Sequence, residues 1–165
     1  MKTLFLSLVL SATALLASPK TARAQTASAA DVTAIKAVIE RETTSWSNRD
    51  AAAWADCWAN VPEAGQLVIM QDAAHTVIKS QNTKTDMPQV AKQLLASMGP
   101  ATGETFARSN YLIRVKGDAA FVQYEQVGTQ PDGKKGYTYE TRYLEKMADK
   151  WKIVHVCAAV YTPAN

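Results

Sequence analysis

Apolar and polar positions alternate most regularly between residues 104 and 161, in four runs at roughly 104–116, 119–129, 136–147 and 150–161. A period of two marks half-buried β-strands, and the short breaks at Gly117-Asp118 and Ala148-Asp149 supply the turns that fold neighbouring runs into hairpins. Upstream the period lengthens. Val32, Ile35, Val38, Ile39, Glu42 and Trp46 recur at helical spacing, with Ser28 and Asp31 as a cap. Asn48-Arg49 breaks that helix, Asp50 caps a shorter one carrying Trp54 and Trp58, and Pro62 and Gly65 end it. Gln66 to Gln71 and His75 to Ser80 read as two short strands around Asp72-Ala73. A third helix is predicted from a cap near Asp86 to Met98, with Met87, Val90, Leu94, Leu95 and Met98 inward and Gly99-Pro100 as its stop.

Residues paired across a hairpin share a face, so the two turns predict which side chains line the interior. Tyr111, Ile113, Val122, Tyr124, Tyr139, Thr141, Tyr143, Val154, Val156 and Ala158 fall together and form the better candidate for a concave, ligand-holding face. Asn110, Arg114, Gln123, Glu125, Glu140, Arg142 and His155 fall opposite, relieved by Leu112, Phe121, Leu144 and Ile153. Those four apolar residues, ringed by charge, predict a two-fold dimer through the outward sheet face. Register is the sensitive point, because one extra residue in the Ala148-Asp149 turn exchanges the faces of the last strand.

The first 24 residues change the charge picture. Lys2, the apolar run Leu4 to Ala17 and Ala22-Arg23-Ala24 compose a secretory signal peptide, which leaves 25–165 as a single domain in the periplasm or outside the cell. The apolar run is shorter than the roughly 18 residues of a membrane span. The whole chain carries a net charge of +3, but Lys2, Lys20 and Arg23 belong to the leader, which has no acid, so the mature chain is neutral. No nucleic-acid or membrane partner is therefore expected. Cys57 and Cys157 are too few for a disulfide framework, although one bridge stays open in an oxidising compartment. With two His and two Cys scattered, neither a metal site nor a cofactor is expected.

Glu140-Thr141-Arg142 followed by Trp151-Lys152-Ile153-Val154-His155, behind that order of helices and strands, resembles the nuclear transport factor 2-like superfamily and its SnoaL-like bacterial proteins. The same residues resemble the association domain of calcium/calmodulin-dependent protein kinase type II, although this chain has Cys157 and Ala158 where that domain continues with a second His and an Arg. The likeness is good over residues 140–155, and over the mature chain it is one of element order. It implies an α+β fold in which a cone-shaped, curved antiparallel sheet wraps three helices. Ketosteroid isomerase shares that architecture, but by element order its Tyr falls on Glu42, its donor Asp on Thr141 and its base near Met70 or Gln71. None matches, so no catalytic residue carries over.

Glu42 interrupts an apolar helical stripe and is the leading catalytic candidate, as a buried general acid or base with a raised pKa. The competing reading makes it a rim residue or an anchor for a Tyr hydroxyl. His75, expected near the cone mouth, is the second candidate, and a solvated loop-edge His is its bland alternative. Trp46, Trp54, Tyr124, Tyr139, Thr141, Tyr143 and Val156 are the expected ligand contacts, with the tryptophans equally explicable as core. The sequence supports a cofactor-free domain that binds a small, mostly apolar molecule, with isomerisation, dehydration or hydrolysis as its catalytic variant. A non-catalytic assembly module is the alternative.

Overall fold

A computed structural model of the chain describes residues 27–70, 77–81 and 86–163. The leader, the Asp72-Ala73 turn and His75 lie outside the described residues. Helix α1 (Ala29–Asn48) begins where the Ser28 hydroxyl accepts the Asp31 amide at 3.0 Å, and ends where Arg49 turns left-handed at φ 62°. That turn places Asp50 to cap α2 (Ala51–Cys57) through the Ala53 amide at 2.9 Å. Strands β1 (Gly65–Ile69) and β2 (Val77–Gln81), helix α3 (Met87–Ser97), and strands β3 (Thr105–Lys116), β4 (Ala119–Thr129), β5 (Lys135–Met147) and β6 (Lys150–Tyr161) follow.

The six strands form one sheet in the order β2-β1-β6-β5-β4-β3, antiparallel throughout except for the parallel β1/β6 pair. Helix α1 crosses the concave face against β6 and β3, and α2 packs between α1 and α3. Ile35 and Ile39 of α1, Trp54, Cys57 and Trp58 around α2, Leu95 of α3, and Val122, Tyr124, Leu144 and Ile153 of the sheet close the core. Full burial of one such aliphatic side chain contributes about 1.5–3 kcal/mol. Cys57 is buried on α2 and Cys157 half-buried on β6, and both are free thiols.

Both expected two-residue turns are present, with Lys116 paired to Ala119 and Met147 to Lys150. Register then departs from the expectation in two places. Between β4 and β5 the loop runs from Gln130 to Lys134, turned by Gly133 at φ 82°, and sets Tyr124 against Glu140 and Val122 against Arg142. On β6, Leu144 pairs with Ile153 but Tyr143 pairs with His155, so a bulge at Val154 reverses the strand's faces. Glu140, Arg142, Leu144 and Ile153 therefore point inward, whereas Tyr139, Thr141 and Tyr143 lie on the outer face. Leu144 and Ile153 are fully buried and cannot form the expected dimer patch; Leu112 and Phe121 are outward, 40% and 43% exposed.

Candidate functional site

Arg142 is the centre of a buried polar cluster on the concave face, 4% exposed and ringed by partners from three elements. Its Nη1 donates to Glu42 Oε2 on α1 at 2.7 Å, its Nη2 to Glu140 Oε2 at 2.8 Å, and its Nε to Tyr124 Oη on β4 at 2.7 Å. Tyr124 passes its own proton donation to Glu140 Oε2 at 2.7 Å. The other Glu140 oxygen accepts from Gln126 Nε2 at 2.9 Å and Thr138 Oγ1 at 3.0 Å. Trp54 Nε1 reaches Glu42 Oε1 at 2.9 Å, and Thr43 Oγ1 lies 3.3 Å from Oε2.

One guanidinium thus neutralises one of two buried carboxylates, and hydrogen bonds share the remaining charge. Burial opposes ionisation of Glu140, but the Arg142 charge and the donors Tyr124, Arg142 and Thr138 together outweigh it and hold its pKa below the ordinary 4.5. Burial is also the largest influence on Arg142. It disfavours the cation, yet Glu42, Tyr124 and Glu140 carry its pKa well above the usual value. For Tyr124, burial and the adjacent Glu140 push the hydroxyl up despite the attraction of Arg142. The cluster is therefore a charged, proton-retaining floor at neutral pH.

Over that floor opens a cavity of about 220 Å³. Glu42, Gln126, Glu140 and Arg142 line its polar side, and Trp46, Val68, Phe106, Val156 and Ala158 its apolar side. Glu104, from the irregular segment before β3, adds a carboxylate that accepts no hydrogen bond among the described residues, and burial raises its pKa. It lies flat on the sheet because Gly128 has no side chain: a Cβ there would strike Glu104 Oε1. A larger recess of about 460 Å³ lies on the solvent side of α1, between residues such as Glu40, Arg41, Thr44 and Asp50, away from the buried cluster.

The expected site residues divide on this geometry. Glu42 faces the cone, and Trp46 and Val156 line the cavity. Tyr124 is fully buried and hydrogen-bonded to Arg142, and Trp54 is a core residue that anchors Glu42 and packs at a 44° tilt against Trp46, 5.8 Å between ring centroids. Tyr139 and Tyr143, 37% and 39% exposed, turn away with Thr141. The sequence reading missed Arg142, Glu140, Gln126 and Glu104. For Glu140 and Arg142 the only hint was their alternation with Leu144, an apolar residue on the same face of β5 that proves fully buried; Gln126 and Glu104 carried none. Among the described residues no three His, Cys, Asp or Glu side chains are grouped to hold a metal ion.

No family model and no curated protein sequence matches the chain. Solved structures do. A cystatin-like-fold protein of unknown function from Nostoc punctiforme superposes with TM-score 0.61 at 16% identity, over 81% of this chain and 93% of that one. An NTF2-like protein of unknown function from Shewanella baltica gives 0.59 at 14% identity, over 84% and 99%. An NTF2-like protein with a cystatin-like fold from Novosphingobium aromaticivorans gives 0.54 at 16%, over 82% and 84%. With the helix order and the six-stranded sheet, these likenesses establish that the chain has a cystatin-like, NTF2-like fold.

Proposed function

We propose that this chain is an exported SnoaL-like domain that binds a small, mostly apolar molecule in its cone without a cofactor. The observation that carries the reading is the cavity itself: apolar walls from Trp46, Val68, Phe106, Val156 and Ala158 above a fixed polar floor. Few convergent polar groups in an apolar recess are the usual form of a small-molecule site. At about 220 Å³ the cavity is smaller than the roughly 300–1,000 Å³ of drug-sized sites, so the ligand is correspondingly compact.

Binding is favoured over catalysis because the expected acid or base is already engaged. Trp54 holds one Glu42 oxygen and Arg142 the other, which makes this carboxylate an anchor for the guanidinium. Isomerisation, dehydration or hydrolysis remains the catalytic variant of the same site. Protein exported by its native host should carry a small molecule detectable by native mass spectrometry, and Ala158→Trp, which fills the cavity, should abolish that mass. An empty wild-type protein, or a ligand retained in folded Ala158→Trp, refutes the reading.

A second reading, self-assembly, draws on the outer sheet face. Phe121 pairs with Tyr143 there, and both are over a third exposed, as is Leu112 next to them on β3. Such a patch suits a two-fold interface, and ligand binding in the cone and dimerisation on the opposite face are compatible.

A further inference from the structure

Resting on the reading of the cavity as a small-molecule site, the chemistry of its walls narrows the ligand. Three carboxylates line it, Glu42, Glu104 and Glu140, against one cation, Arg142. Each of its three nitrogens already donates, to Glu42, Glu140 or Tyr124, and two of those partners are carboxylates that offset its charge. Glu104 has no such partner. Only burial acts on its carboxyl, and no neighbouring cation offsets that effect. Arg108, opposite Gln126 on β3, lies over the Phe106 ring at 5.7 Å with two guanidinium nitrogens unpaired among the described residues; it neither lines the cavity nor pairs with Glu104, and benzoate in the test below reports whether it recruits an anion instead.

A second, independent feature is Gln126, 7% exposed and part of the cavity wall. Its amide orientation follows from chemistry, because the ionised Glu140 only accepts and so takes Nε2. Oε1 is left as a buried acceptor with no donor among the described residues. An unpaired buried acceptor is destabilising, and a ligand donor relieves that cost. The lining therefore offers two acceptors, one of them a carboxylate, while its one cation, Arg142, already faces two carboxylates. Trp46 adds an aromatic face of the kind that attracts cations.

We propose that the cavity takes a small organic ammonium ion, whose N–H groups meet the Glu104 carboxylate and Gln126 Oε1 while its apolar body lies against Trp46, Val156 and Ala158. Alcohols of the same shape lack the charge, and carboxylates meet like charge.

The test uses the full chain at neutral pH and three probes of one shape, benzylammonium, benzyl alcohol and benzoate, followed by amide and indole NMR shifts. Benzylammonium is expected to move the Trp46 indole and the Phe106 and Val156 amides, and to bind about 10–100-fold more tightly than benzyl alcohol, the range of a hydrogen bond to a charged group. Glu104→Gln should remove most of that preference, by weakening benzylammonium more than benzyl alcohol. Should that variant not fold, the wild-type comparison decides alone. Benzyl alcohol or benzoate binding the same residues as tightly as benzylammonium, or a preference surviving Glu104→Gln, overturns the ammonium assignment and leaves the cavity reading standing. If no probe moves any cavity resonance, the ammonium assignment fails together with the support for an accessible site.

Discussion

Replacing Arg142 by Met keeps much of the side chain's bulk and removes the one cation that Glu42 and Glu140 share. Glu42 and Glu140 are 7% and 4% exposed, so water from the cavity replaces only a small part of the lost guanidinium. Tyr124 Oη also loses a donor. Removing one partner of a buried ion pair costs about 3–5 kcal/mol, and with two carboxylates stranded the upper part of that range is expected here. For a domain of this size that is a fall in Tm of roughly 10–15 °C. The pH dependence carries the sharper signature. In the native protein the depressed Glu140 pKa contributes stability that is fully present above the unfolded value near 4.5 and lost as pH falls below it. Without Arg142 the burial of Glu140 is no longer offset and its folded pKa rises, so the variant should gain stability relative to wild type on acidification from pH 7 toward 5. Urea melts followed by circular dichroism at both pH values measure this, and adding Glu42→Gln to Arg142→Met should recover part of the loss. A variant within about 1 kcal/mol of wild type at pH 7, below the 3–5 kcal/mol of a broken buried pair, refutes the account, as does a gap that widens on acidification.

Gly128→Ala pushes only on the flexible end of Glu104 and more gently on Phe106, so stability should change by no more than about 1 kcal/mol while the Glu104 carboxyl resonance moves; an unmoved Glu104 contradicts the packing described. Phe121→Glu, opposite Tyr143 on the outer face, should convert a dimer to monomer in light scattering, whereas an unchanged dimer places the interface elsewhere. Protein from its native host should begin at Gln25 by intact mass, and a species retaining residues 1–24 contradicts the export assignment.

Local structure was legible in the sequence because its causes are local. Ser28, Asp50 and Asp86 cap their helices where expected, and the period of two delivered β3 to β6 within a residue or two of their bounds. Glu42 was found for a similar reason, since one carboxylate in an apolar stripe at helical spacing must face the core. The floor of the site was not legible. Which face of β5 turns inward depends on the Gln130–Lys134 loop and on how β4 and β6 pair with it, and the bulge at Val154 has no marker in neighbouring residues. Apolarity then argued for Tyr139 and Tyr143 inside and the charges outside. Tertiary structure reversed it, because Glu140 and Arg142 arrive within 3 Å of each other and of Tyr124, and Arg142 equally near Glu42, so their mutual pairing offsets desolvation that neither could bear alone.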